Sequence, residues 1–485
     1  MTITKASALP TEQRPNHSKH RSSRLPGPPW YTAAGNTLRF LRHALDFSQE
    51  MRNRYGDVVS VPTLMGRLTL VFHPDGVRRV LQENHLNYNK NIPDYRILSL
   101  VLGNGLLTND GESWLQQRRL MQPAFHRDRV AAFGTLITEA TTAWLNQLET
   151  AQAIGSGRPL DIPQEMSRLT LSIVCKALFG ADLPAEALER VSRALTTANH
   201  LLSEAFYLPG ILSLPTPQRH RLREARGELH AVVDTIIQQR RALGEQRGRG
   251  DLLAMLLDAR DAETGVGMSD QQLRDEILTL LLAGHETTAN TLSWTLYLLA
   301  QHPDIAANLQ SEYRRVLQGR PPRMDDLPHL SLTRMVIEES MRLYPPAWAL
   351  GRRALAEDEI GGHTIPKGAY VLVFQYVTHR HPDFWERPDA FDPERFAAER
   401  ATGRHRYAYF PFGGGPRLCI GNQFALIEAR LILATFLSRY QLLLSPTAHV
   451  IPEPLVTLRP RGSLLMTAHS TTDGAVYSGG KGASQ

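Results

Sequence analysis

Between Thr37 and about residue 345, apolar residues recur mostly at three- and four-residue intervals, the spacing of helices that bury one face. Two early stretches depart from it. Val58-Val-Ser-Val61 and Leu68-Thr-Leu-Val-Phe72 are short β-branched and aromatic runs flanking Met65-Gly66, which predicts a hairpin after a helix over Thr37 to Tyr55. Loops are predicted at 90–108, 206–216 and 258–268. Strand signals return at Glu359 to Gly368 and Tyr370 to Phe374, with a last hairpin within Leu455 to Thr467. Neither an internal repeat nor a low-complexity linker interrupts the chain over 30–468. Long helices followed by short, scattered strands predict an α+β fold, predominantly α-helical, built as one large domain over 25–468. Residues 1–24 and 469–485 are polar, small and aperiodic and are predicted to be disordered tails.

One helix stands out. It is predicted to run from Ser269, with Gln272 completing a capping box, to just before Pro303, about 32 residues or ~48 Å. Its Ile277-Leu-Thr-Leu-Leu-Leu282 segment is apolar on every side, so it should cross the interior. Gly284, Thr287 and Thr288 weaken the hydrogen-bond ladder locally, since glycine leaves a gap and threonine bonds back to a carbonyl. A pocket is predicted there.

Composition narrows the function classes. With 42% hydrophobic and 21% charged residues the chain is an ordinary globular protein, not a disordered, collagenous or coiled-coil one. Two cysteines, Cys175 and Cys419, cannot make a disulfide scaffold, and nothing else marks export, which points to a reducing, cytoplasmic setting. Most of the +6 net charge sits in Lys5, Arg14, Lys19, Arg21 and Arg24 near the start, so the body lacks the basic face of a nucleic-acid binder. There is no run of ~18 apolar residues and no apolar signal segment, which argues against stable membrane insertion.

The segment richest in chemistry is Phe410-Pro-Phe-Gly-Gly-Gly-Pro-Arg-Leu-Cys-Ile-Gly421, followed by a periodic helix, Asn422 to Tyr440. Gly413, Gly414 and Gly415 allow positive φ and close approach to a flat partner, and Pro416 stiffens the path to Cys419. A cysteine at a helix N-terminus is favoured as thiolate by the orphan amides and the dipole. Cys175 lies in an apolar run and reads as a buried free thiol. The His379-Arg380-His381 spacing lacks further ligands and reads as loop histidines. No phosphate loop, no covalent haem motif and no GxGxxG after a strand occurs, so no flavin or nicotinamide module is fused to the chain.

Phe412-Gly-Gly-Gly-Pro-Arg-Leu-Cys-Ile-Gly421 resembles the haem-binding signature of the cytochrome P450 superfamily, in its soluble bacterial type, and further family motifs follow in order across roughly 25–467. The resemblance implies the family's single fold, a triangular prism with a long central helix over haem b, and makes Cys419 the axial ligand of the haem iron. In Ala283-Gly-His-Glu-Thr-Thr288 it assigns Glu286 to proton delivery and Thr287 to hydrogen-bonding of activated oxygen, with His285 as pocket lining. It makes Glu339, Arg342 and Arg395 a buried salt-bridge brace for the cysteine loop. Trp114 and Arg118, one helical turn apart, are matched with a haem propionate, as are Arg417 and Arg352, for which Arg353 competes. The implied substrate pocket draws on Tyr95–Leu107, Leu201–Leu212, Ile277–Thr288 with Ala283 and Gly284, Ala347–Leu350, and Ser463–Met466.

The function so implied is insertion of one oxygen atom from O2 into an apolar small molecule such as a fatty acid, terpenoid or steroid. Electrons would pass from NAD(P)H through a separate reductase and a ferredoxin or flavodoxin, docking around Arg118, Arg119 and the cysteine loop, to a monomeric enzyme. The competing readings are a haem-thiolate isomerase or peroxygenase, and a non-catalytic haem sensor or electron carrier.

Overall fold

A computed structural model describes residues 25–471 apart from 155, 181–183, 208–213, 243–249, 262, 264 and 447. Both tails expected to be disordered lie almost wholly outside these residues. In chain order the principal elements begin with helix α1 (Ala33–Tyr55), β1 (Val58–Thr63), β2 (Gly66–Val71), β3 (Tyr88–Asn89), α2 (Pro93–Leu102) and α3 (Gly111–Met121). Next come α4 (Gly134–Thr150), β4 (Pro159–Asp161), α5 (Ile162–Phe179), α6 (Ala185–Tyr207), α7 (Pro217–Ala242), α8 (Asp270–Gln301), α9 (Pro303–Leu317) and α10 (Ser331–Leu343). The last part holds β5 (Leu350–Ala354), β6 (Asp358–Ile360), β7 (His363–Ile365), β8 (Tyr370–Val373), α11 (Asn422–Leu437), β9 (Tyr440–Leu444), β10 (Pro452–Pro454), β11 (Leu458–Pro460) and β12 (Leu465–Ser470).

The central helix forms as its sequence predicts. Ser269, in extended conformation, caps α8 by accepting from the Gln272 amide at 3.2 Å, and the helix ends at Gln301 ahead of Pro303. Leu273, Ile277, Leu278, Leu281 and Leu282 are all buried, each worth about 1.5–3 kcal/mol of transfer free energy. α8 packs most extensively on α5 and also touches α7, α10 and α11. A Cβ at Gly284 would lie 3.1 Å from Val174 of α5, so this glycine allows close helix contact as well as lining the cavity described below. Thr287 and Thr288 do bond back, to the Ala283 and Gly284 carbonyls at 2.7 and 3.2 Å.

The expected loop at 90–108 is half wrong. It contains α2, initiated by Pro93 at its first turn, where a missing amide costs nothing. The loop proper, 103–108, is clamped onto α8 by two acids. Asp275 accepts from the Asn104 amide and Glu276 from the Leu106 amide, both at 2.9 Å. Burial pushes the Glu276 carboxyl up to about 8.

The predicted hairpin is β1–β2, with Thr63 opposite Gly66 across a two-residue turn. It belongs to a five-stranded sheet of order β1-β2-β8-β5-β3, in which β2 and β8 run parallel. β5, unforeseen from the sequence, joins this sheet because Leu350 to Arg353 pair with Tyr370 to Val373. The last predicted hairpin is also corrected. β10 pairs with β11, whereas β12 leaves to pair with β9 and β4 and runs to Ser470, two residues past the expected domain end at 468.

Candidate active site

The cysteine loop is shaped by backbone bonds. Gly413 donates to the Phe410 carbonyl at 2.9 Å and Cys419 to the Phe412 carbonyl at 3.0 Å. Gly413 and Gly415 take left-handed φ of 72° and 63°. Gly414 is extended, and its lack of a side chain serves space instead, since a Cβ would meet the Tyr407 ring at 2.4 Å. α11 starts at Asn422 with Gly421 as its cap, so Cys419 precedes the helix by three residues. The expected thiolate does not follow from this placement alone. Burial pushes the Cys419 thiol up, against the opposing pull of the Gly421 amide and Arg118. Cys175 is an inert buried thiol on α5, pushed up to about 12 by burial.

Behind the loop lies a buried brace. Glu339 and Arg342 of α10 form a two-bond pair at 2.6 and 2.8 Å, and Arg395 reaches the same carboxylate at 3.3 Å. Arg342 also donates to the carbonyls of His379, Pro388 and Ala390. Removing one partner from so buried a pair costs about 3–5 kcal/mol. His379 connects this brace to the cysteine loop, because its Nε2 accepts from the Phe410 amide at 2.9 Å. His381 is likewise engaged, by Asp57 and Arg52 at 3.1 and 3.2 Å. Both histidines are therefore structural residues, and His379 carries more than the sequence suggested.

Cys419 faces a mostly apolar cavity of about 930 Å³, so its exposure is to this interior space. Trp114, Arg118, Arg352, Arg417, Ala283, Gly284, Glu286, Thr287, Ala347 and Leu350 line the same cavity, which brings together the residues predicted for cofactor and catalysis with part of the predicted pocket wall. Arg118 donates to the Leu418 carbonyl at 2.9 Å, next to the cysteine. The Arg417 guanidinium lies 3.9 Å over the Trp114 ring and pairs with Asp110. Arg352 is buried and donates to the Tyr95 hydroxyl at 3.0 Å, whereas Arg353 is exposed. Alternation on β5 thus buries one of the two arginines that the sequence left in competition and exposes the other, although both border the cavity.

Sequence reasoning missed Lys90, which is buried against the same group and donates to the Leu107 carbonyl at 2.6 Å. Burial, with Arg417 and Arg352 close by, pulls its ammonium well below the usual lysine range. A lone lysine in a loop gave no signal. The pocket prediction also needs revision at one end. The segment Ser463–Met466 does not line the cavity, because β12 is committed to β9 and β4, and the 454–457 turn between β10 and β11 does so instead. Of Leu201–Leu212, Ser203 lines it, and 208–212 lie outside the described residues.

On α8, Glu286 and Thr287 face the cavity while His285 is buried with its Nδ1 3.0 Å from the Leu281 carbonyl. Glu286 Oε1 accepts from Asn199 of α6 at 2.6 Å and from Thr457 at 2.7 Å, two partners far away in sequence. Glu428 of α11 is wholly buried, neither of its carboxyl oxygens has a hydrogen-bond partner among the described residues, and burial pushes the carboxyl up to about 8.

The family model described as Cytochrome P450 matches residues 25–466. The chain belongs to the cytochrome P450 family. It is 36% identical to "Cyclooctatin synthase" of Streptomyces melanosporofaciens, over 92% of this chain and 96% of that protein. It is 34% identical to "Pentalenene oxygenase" of Streptomyces avermitilis, over 87% of this chain and 92% of that one. Among solved structures the cytochrome P450DA heme domain matches with a TM-score of 0.81 and 27% identity, over 93% of this chain and 98% of that one. The α+β, helix-dominated P450 fold and an oxidoreductase of the monooxygenase class follow.

A P450 implies haem, and the residues present fit one. One cysteine, Cys419, faces the cavity, and a thiolate there suits iron. Lys90, Arg352 and Arg417 crowd together with Asp110 as their near acid, a surplus of positive charge suited to propionates. A coordinating metal also resolves the electrostatics of Cys419, because metal binding deprotonates a thiol outright. The basic dock expected at Arg119 differs from the sequence reading. Arg119 is bound by Asp261 at 3.2 Å and Glu263 at 2.8 Å, which cancel its charge. Among the described residues no helix is long and apolar enough to cross a membrane.

Proposed function

We propose that this P450 inserts one atom of O2 into an apolar cyclic terpenoid. The observation that carries the reading is that Cys419, Glu286 and Thr287 share one large, mostly apolar cavity. The terpenoid choice, among the fatty acids and steroids such a cavity also admits, rests on relatives named for pentalenene and cyclooctat-9-en-7-ol.

Cys419 would hold the haem iron, while Trp114, Arg118, Arg352, Arg417 and Lys90 would hold its propionates. The bound haem supplies reductive activation of dioxygen, and thiolate ligation favours cleavage of its O–O bond. The chain's own residues do the rest. Ala283, Gly284, Ala347 and Leu350 offer apolar wall that orients substrate and excludes water. Glu286 releases and takes up protons at its carboxylate, and the Thr287 hydroxyl, now bonded to the Ala283 carbonyl, rotates to pass them on. Electrons come from NAD(P)H through a separate reductase and a ferredoxin or flavodoxin, and the enzyme acts as a cytoplasmic monomer.

The test is turnover of a panel of cyclic terpenoids, including pentalenene and cyclooctat-9-en-7-ol, by the holoenzyme with a ferredoxin and its reductase under ¹⁸O2. The reading expects a product carrying one labelled oxygen. Turnover of fatty acids alone, or product without label, contradicts it.

A further inference from the structure

The Glu286 carboxylate is gripped from outside its own helix. Asn199 Nδ2 donates to its Oε1 from α6, and the Thr457 hydroxyl donates to the same oxygen from the turn between β10 and β11. Asn290, one turn along α8, donates to the Thr457 oxygen at 2.9 Å. An amide NH2 group can only donate, so Thr457 must accept there and aim its own hydrogen at Glu286. Asn199, Asn290 and Thr457 are all buried, which shields these charge-assisted bonds from competing water.

The two gripping elements are also cavity wall. Pro454, Leu455, Val456 and Thr457 line the cavity directly. On α6 the lining residue is Ser203, one turn from Asn199 and bonded to its carbonyl at 2.8 Å. Whatever presses on α6 or on the 454–457 turn therefore shifts a donor on the acid.

We propose that Asn199 and Thr457 are positioning residues that hold the Glu286 carboxylate for proton delivery and tie its orientation to the walls of the pocket. This rests on the role of Glu286 given above. A filled pocket and a correctly aimed proton donor then arise together, and removal of either donor uncouples them. If the trio merely fastened α6 to α8, its loss would act equally whether or not residue 286 is an acid.

The experiment is a double-mutant comparison on the holoenzyme with the panel compound of highest turnover. Asn199→Ala, Thr457→Val and Thr457→Ser are made with Glu286 present and in Glu286→Gln. With Glu286 present, Asn199→Ala and Thr457→Val should each lower kcat about tenfold, with substrate affinity changed less than about twofold and Thr457→Ser near wild type. In Glu286→Gln the same changes should alter kcat less than about twofold. Equal losses in both backgrounds, or none with Glu286 present, overturn the proposal. Asn199→Asp, which keeps the side-chain shape and replaces the donor with a like charge, carries the same comparison if another variant fails to fold. An unaffected Glu286→Gln instead removes the proton role of Glu286 itself, and the inference with it.

Discussion

The Phe410 amide donates to His379 Nε2 at 2.9 Å, and this bond joins the cysteine loop to the buried Glu339–Arg342 pair through the His379 carbonyl. Cys419 is therefore aimed by a chain of contacts that begins on α10. Backbone geometry alone does not aim it.

His379→Leu should leave the Phe410 amide unsatisfied and destabilise the fold by about 1–3 kcal/mol, with haem lost more readily from the purified protein. Burial, then Arg342 and Arg380, hold the His379 imidazole well below its usual range. The unfolded chain thus takes up a proton near pH ~6.5 that the folded one refuses. Stability should fall as pH drops below that value, and His379→Leu should remove this contribution to the slope in denaturant titrations.

Arg352 and Arg353 make a paired control on one strand. Arg352→Ala should weaken haem retention about tenfold or more, as expected for loss of a buried charged contact. Arg353→Ala should change it less than about twofold, its side chain being exposed. Haem transfer to apomyoglobin measures both.

Glu428 gives a pH signature of opposite sign. Its carboxyl is raised to about 8 in the folded chain from 4.5, so between these values the folded state keeps a proton the unfolded state has released. Stability should fall as pH rises through that window, by up to about 1.4 kcal/mol per unit. Glu428→Gln should gain on the wild type with rising pH and level off above about 8, as read from urea unfolding. Glu276, raised to about 8 as well, leaves part of the slope in place.

Thr287→Ala separates oxygen insertion from the rival chemistries that share Cys419. Product formed per NAD(P)H consumed should drop about tenfold or more while reductant oxidation continues. Unchanged NAD(P)H-supported turnover would favour the isomerase or peroxide-driven reading.

The long helix over Asp270–Gln301 was legible because capping residue, apolar run and terminal proline all agree locally. The same holds for β1–β2, where β-branched runs flank a short turn. β5 was not legible, since Leu350-Gly-Arg-Arg-Ala354 has no strand composition and forms where β8 and β3 offer partners. At the site, resemblance to the family's motifs pointed to Cys419, Glu286, Thr287 and the Glu339 brace. It said nothing of Lys90, Asn199 or Thr457, and His379 read as a loop histidine, because their partners lie apart in sequence and meet only through packing.

The central claim is that the Cys419 sulfur, as thiolate, ligates haem iron. The direct measurement is the absorption spectrum of the purified, folded protein reduced and exposed to carbon monoxide. The strongly red-shifted Soret band of a thiolate-ligated carbonyl complex is expected, and Cys419→Ala should abolish it while the far-ultraviolet circular dichroism stays native. A Soret band typical of histidine ligation in the wild type, or an unchanged red-shifted band in Cys419→Ala, would contradict the account.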